Sequence, residues 1–302
     1  MKKQILLLFL LTSLLTSQAQ NLSKFEDKSG KVGFKSLNGT IVIKPIYGAS
    51  WENFTEGLVG VYLNKKWGYI DSTGKIIVPF KYKEVSEFLP DVKLARVFLG
   101  EKMGYINNVG KEVIPAIYDD LDDKFYDNVV SGGLNNKYGA INNSGKIVVP
   151  FVYKEYLRFD GGLVIISLNK KFGVINKANE KILPFIYDTI KFVYNSKDYS
   201  RENLFIAKLD KKFAVLDKSN KNIIPFLYDE IVLQGDLFRT KLIGVKKYGL
   251  YDKSGKRIEY ELYDDAGYIG NDTYYLALGG RILKYVNKEG KEVDKKGNKI
   301  EE

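Results

Sequence analysis

Trp67-Gly68-Tyr69-Ile70-Asp71-Ser72-Thr73-Gly74-Lys75-Ile76-Ile77-Val78-Pro79-Phe80-Lys81-Tyr82 reads as two apolar runs joined by a tight reversal. Asp-x-x-Gly between such runs is the signature of a hairpin closed by a type I turn and a glycine bulge. Asp71 supplies a short side chain that bonds turn backbone, and Gly74 tolerates the left-handed conformation the turn needs. Pro79 has no N–H to give a ladder, so it marks a strand end or an edge.

The stretch recurs. With the ring before Gly68 as zero, the same slot holds Val32, Trp67, Met103, Tyr138, Phe172, Phe213, Tyr248 and Leu283. The spacings are 35, 36, 35, 34, 41, 35 and 35 residues. The slot of Gly74 holds only Gly or Asn: Gly39, Gly110, Gly145, Asn179, Asn220, Gly255 and Gly290. The slot of Asp71 holds Ser36, Asn107, Asn142, Asn176, Asp217, Asp252 and Asn287. Pro115, Pro150, Pro184 and Pro225 match Pro79, and Pro45 comes one residue late. Tyr47, Tyr82, Tyr118, Tyr153, Tyr187, Tyr228 and Tyr263 share one further slot.

A regular period of this length means stacked supersecondary units, because one unit alone cannot bury its apolar face. The second copy predicts strands over Leu58–Leu63, Lys66–Asp71 and Ile76–Pro79, with a turn at Asn64-Lys65. A less regular strand is expected from Tyr82 to Phe88. No stretch has sustained helical periodicity. The expected fold is all-β: tandem antiparallel hairpin or meander repeats of ~35 residues in an open curved array. A closed β-propeller is the alternative, for which such a unit is lean. The repeated rings and tyrosines are expected to pack between units; a row of exposed tyrosines serving as a ligand rail is the other reading. The glycine after each ring is expected to admit a close neighbour.

Composition narrows the chemistry. The 302 residues include no Cys and no His, which removes disulfides, thiol nucleophiles, the usual zinc sites and the commonest general base. The net charge is +10, with lysines recurring at turns rather than in a block, as on a solvated surface. Met1-Lys2-Lys3, the apolar run Ile5–Leu15 and Ser17-Gln18-Ala19 have the layout of a secretory signal peptide cut after Ala19. Residues 1–19 are therefore expected to be removed, leaving a charge of +8, an array over 20–293 and a charged, frayed tail over 294–302. No later run is long enough to span a bilayer. The product is expected to be secreted or periplasmic.

Lys66-Trp67-Gly68-Tyr69-Ile70-Asp71-Ser72-Thr73-Gly74-Lys75-Ile76-Ile77-Val78-Pro79, with Tyr82 beyond it, resembles the WG-containing repeat family of bacterial proteins. The resemblance runs from about Asn21 to Val293. One copy keeps Trp at the ring slot, and Phe213-Ala214 and Leu283-Lys284 lose the glycine. The resemblance implies a β-rich array, export for many members, and no catalytic residues.

No catalytic constellation, cofactor or metal site emerges from the residues themselves. Asp119-Asp120-Leu121-Asp122-Asp123 lacks the spacing of a Ca²⁺ loop and reads as a solvated turn. Glu84, Glu87 and Asp91 are of the type that pairs in glycoside hydrolysis, but spacing alone does not pair them. Binding tends to sit on irregular loops over a rigid scaffold. The 41-residue spacing locates an insertion in Ile190–Asn203, with Phe192, Tyr194, Tyr199 and Arg201 as candidate binding residues. Tyr268 and Tyr274, in the turn-rich segment Gly267–Tyr275, are two more. The expected function is a non-catalytic binding scaffold for a protein, peptide or cell-envelope polymer. Carbohydrate or cell-wall binding is the alternative, an Asp/Glu-dependent glycan hydrolase a remote one, and nucleic acid is not expected.

Overall fold

The computed structural model describes residues 22–300, so the expected signal peptide lies outside the described residues. Every regular element described is a β-strand, and every pairing is antiparallel. The sheets follow one another in chain order over 23–47, 49–82, 84–118, 120–153, 163–187, 189–263 and 265–293. Each is an open sheet with two edges, and no pairing among the described strands closes a ring. The chain divides into two units, Met1–Leu157 and Arg158–Glu302.

The sheet over 49–82 shows how sequence becomes structure. Leu58–Leu63 and Lys66–Asp71 are strands as expected, paired from Leu58↔Asp71 to Leu63↔Lys66. Asn64 and Lys65 both adopt positive φ, 52° and 63°, which gives the two-residue turn whose twist matches the strands. At the other end Gly74 has φ 86°, and its N–H donates to Asp71 O at 2.9 Å. Asp71 Oδ1 accepts the backbone N–H of Thr73 and of Lys75 at 2.9 and 3.1 Å. The same two backbone bonds recur at Asn107, Asn142, Asn176, Asp217, Asp252 and Asn287. All eight Gly/Asn slots have positive φ.

The third strand runs through Pro79 to Tyr82, past its expected end. It is an edge strand, and the register slips between Trp67↔Tyr82 and Tyr69↔Val78. Pro79 sits in that bulge, where no ladder bond is asked of it. The bulged chain crosses directly over Gly68: a Cβ there would lie 2.6 Å from Val78 O. The expected fourth strand is only Glu84–Val85, and it pairs with Phe98 and Val97 of the following sheet. Each repeated tyrosine thus ends a sheet. Tyr228 is the variant case, because Asn222–Gln234 continues through it from one partner strand to the next and fuses two repeats into one sheet.

The core lies between sheets. Val32, Phe34, Ile43 and Tyr47 pack against Val59, Val61 and Ile70. Leu58, Tyr69, Val78 and Tyr82 pack against Val85, Ala95, Val97 and Ile106. Inner strands are covered on both faces, so Gly68, Tyr69 and Ile70 are buried in succession without alternation. All seven repeated tyrosines are buried. Tyr47, Tyr118 and Tyr187 each meet a ring of the next repeat, Phe80, Phe151 and Phe226, at 6.2, 5.3 and 6.1 Å. The row is packing, and each ring contributes roughly 1.5–3 kcal/mol.

The charged segment after Val293 carries one more turn instead of fraying. Asp294 Oδ1 accepts the N–H of Lys296 and Asn298 at 2.8 and 2.9 Å, and Gly297 has φ 87°.

Candidate binding surface

The long spacing is absorbed by a hairpin of strands Thr189–Tyr194 and Arg201–Leu209, closed by residues 195–200. The closure is ordered by its own side chains. Asn195 Oδ1 accepts Lys197 N–H at 2.8 Å, and Asp198 Oδ1 accepts Ser200 N–H at 2.9 Å. Tyr199 stands at this tip with φ 56° and 80% exposure.

Three of the candidate residues come together at the closed end of the hairpin, beside its loop. Phe192 lies 5.8 Å from the buried Phe205, and the Arg201 guanidinium stacks over its outer face at 5.2 Å. Arg201 Nη2 donates to Gly161 O at 3.1 Å, and its Nε stands 4.0 Å from Asp160 Oδ1. Tyr194 donates its hydroxyl to Asp160 Oδ2 at 2.5 Å. Desolvation, then the Asp160 carboxylate that takes this proton's hydrogen bond, push the Tyr194 phenol up to about 12. Arg201, whose side chain is only 11% exposed, braces the hairpin, and Tyr194 is thereby held in place before any partner arrives, which reduces the ordering cost of binding.

Tyr268 and Tyr274 are cross-strand neighbours in strands Asp265–Gly270 and Thr273–Leu278, with rings 5.2 Å apart. They face different surroundings. Tyr274 is fully buried, and its hydroxyl accepts the N–H of Asp236 and Leu237 at 2.8 and 3.2 Å. It presents nothing to a partner, while Tyr268 remains about a third exposed.

Charged residues with no motif around them join the two segments. Lys197 of the insertion lies 3.5 Å from Asp236 and 3.4 Å from Asp272. Glu202 takes Lys253 Nζ at 2.6 Å, and Lys253 also lies 3.4 Å from Asp236. Beside them is a shallow cleft of about 520 Å³ floored by Leu237 and Ile258 and edged by Lys256 and Lys288. Ordinary lysines and carboxylates gave no signal in the sequence; only the length of the insertion pointed here.

No group of three or more His, Cys, Asp or Glu is placed to hold a metal among the described residues. In the acidic stretch, Asp119 pairs with Lys102 and accepts Asn135 N–H at 2.7 Å, and Asp120–Leu121 is a short strand. No helix among the described residues is long and apolar enough to cross a membrane.

A family model described as the WG containing repeat matches residues 33–67, 67–102, 103–130, 138–172, 172–213 and 214–251. No curated protein matches the chain. Among solved structures, a eukaryotic initiation factor is 13% identical over 91% of this chain and 95% of its own, with a TM-score of 0.31. PorZ, a bacterial surface component of the type-IX secretion system of Porphyromonas gingivalis, is 10% identical over 82% of this chain and 37% of its own, with a TM-score of 0.28. Hsv2p of Kluyveromyces lactis is 10% identical over 76% and 88%, with a TM-score of 0.29. Likeness at this level carries no functional implication.

Proposed function

The chain belongs to the WG containing repeat family, and from that premise we propose that it is an exported, non-catalytic binding scaffold for a protein, peptide or cell-envelope polymer. The signal-peptide layout of residues 1–19 supports export to a bacterial periplasm or beyond. The observation that carries the binding role is the division of labour among aromatic residues. The repeated tyrosines are buried, so the period is spent on packing. The one long departure from the period sets Phe192, Tyr194 and Arg201 together and leaves Tyr199 at an exposed tip. Tyr194 and Tyr199 keep exposed rings, and Tyr is enriched where binding energy concentrates.

Carbohydrate or cell-wall binding is the second reading, favoured by the exposed ring of Tyr199, which a sugar face can cover. The test uses purified protein against envelope protein and polysaccharide fractions. Saturable retention of one fraction, lost in the Tyr194→Ala/Tyr199→Ala double variant with melting unchanged, is the expected result. No retention by the intact protein, or turnover of a polysaccharide, contradicts the proposal.

A further inference from the structure

The chain has two tryptophans, and the fold of the first unit sets them side by side. Trp51 and Trp67 have ring centroids 6.3 Å apart. Tyr62, directly opposite Trp67 across the strand pair, adds a third ring at 5.5 Å. Trp51 is 37% exposed, and Trp67 and Tyr62 are half-buried.

Trp51 and Tyr62 do not belong to the repeat, whereas Trp67 fills its ring slot. Positions equivalent to Trp51 hold Ser86, Asp122, Leu157, Lys191, Val232 and Gly267. Positions equivalent to Tyr62, opposite the ring slot, hold Phe98, Gly133, Ser167, Lys208 and Lys241. The ring slot of Trp67 carries tryptophan in this copy alone. Two glycines make room for the rings. A Cβ on Gly60 would lie 2.5 Å from Trp51 Cδ1, and one on Gly48 would lie 3.3 Å from Tyr62 Cδ1. Trp51 Nε1 donates to Val85 O at 3.2 Å, so the ring is anchored by its polar edge.

We infer that Trp51, Tyr62 and Trp67 form a stacking shelf for the ring of a neutral saccharide. Three features select that ligand. The first is size. A stable protein partner covers roughly 800 Å² on each side, whereas an aromatic side chain has about 150–250 Å² in all and these are largely buried. What remains suits one or two sugar rings. The second is charge. Lys24 lies beside Ser50 O at 3.5 Å, and Lys65 and Lys66 lead directly into Trp67. A ligand cation, the other group drawn to ring faces, meets like charge there. The third is Glu52, paired with Lys24 at 3.3 Å, whose exposed carboxylate can accept hydrogen bonds from ligand hydroxyls. The inference rests on the binding-scaffold reading and places a site in the first unit, apart from the Thr189–Leu209 hairpin.

Both tryptophans lie in the shelf, so intrinsic tryptophan fluorescence reports on this site alone. The full-length protein is titrated with oligomers of β-linked N-acetylglucosamine, oligomers of β-linked glucose, and oligothymidine. A saturable emission change with one of the saccharides and none with oligothymidine is expected. Trp51→Ala, read through Trp67, should weaken that binding by about tenfold or more, and Trp51→Phe should keep most of it. Tyr62→Ser replaces Trp51→Ala should the latter not fold. No saturable change with either saccharide, unchanged affinity in Trp51→Ala or Tyr62→Ser, or a response to oligothymidine overturns the assignment. Retention of an envelope fraction through Tyr194 and Tyr199 without any saccharide response would leave the scaffold reading standing and this site refuted.

Discussion

Trp67 lies directly opposite Tyr82 across the hairpin, and the three residues before Tyr82 bulge over Gly68. Val78 and Tyr82, four apart, share the inward face as strand alternation places them, and the bulge sets them opposite Tyr69 and Trp67, which are only two apart. In this copy the bulge leaves no room for a Cβ, which at Gly68 would come within 2.6 Å of Val78 O. Gly68→Ala is predicted to cost about 1–3 kcal/mol in denaturant unfolding. Ala214 occupies the same slot and is fully buried, so Ala214→Gly should show no comparable gain. A neutral Gly68→Ala would contradict the close-approach explanation.

Lys65 adopts φ 63° in the second residue of its turn, where a Cβ is strained. Lys65→Gly should raise stability by about 0.5–1 kcal/mol, the relief at the turn exceeding the added freedom of the unfolded chain. An unfolding midpoint that falls instead would show that Lys65 contributes through its side chain.

Asp71 carries an acid-linked contribution. Partial burial works to raise its carboxyl, but the Thr73 hydroxyl, the Thr73 and Lys75 N–H groups and the Lys75 charge outweigh it and hold it below the ordinary carboxylate range. The folded value is below the unfolded one of about 3.9. The contribution is therefore present above about pH 4 and is lost as pH falls through the folded value. Asn serves the same turn at Asn107, Asn142, Asn176 and Asn287. Asp71→Asn should keep stability near neutral pH and lose less than the parent in acid. Parallel curves for the two proteins between neutral pH and pH 3 would refute the linkage.

The turn slots were legible in the sequence because their chemistry is local. Asp71 and Gly74 act within five residues, and so do their counterparts. Sheet membership was not legible: Glu84–Val85 pairs with residues a dozen further on, and nothing within Tyr82–Phe88 says so. Pro79 could be assigned to an edge, but the bulge that accommodates it depends on Gly68 across the ladder. Within the candidate surface, Tyr274 looked like its exposed neighbours because aromatic content alone does not show which face of a strand is covered. Its place was decided by Asp236 and Leu237, whose N–H groups it receives. Arg201 and Phe192 were found through the broken period, whereas Asp160, which orients Tyr194, came only from the fold.

The central claim is that the repeated tyrosines build the protein and that surface rings outside the repeat do not. The most direct measurement is the unfolding free energy of Tyr118→Ala beside that of Tyr199→Ala. Tyr118 is buried against Phe151 at 5.3 Å, and Tyr199 is 80% exposed. Tyr118→Ala should lose about 3–5 kcal/mol, as for other large core truncations, and Tyr199→Ala should stay within about 0.5 kcal/mol of the parent. Equal losses in the two variants, or a Tyr118→Ala protein as stable as the parent, would contradict the account.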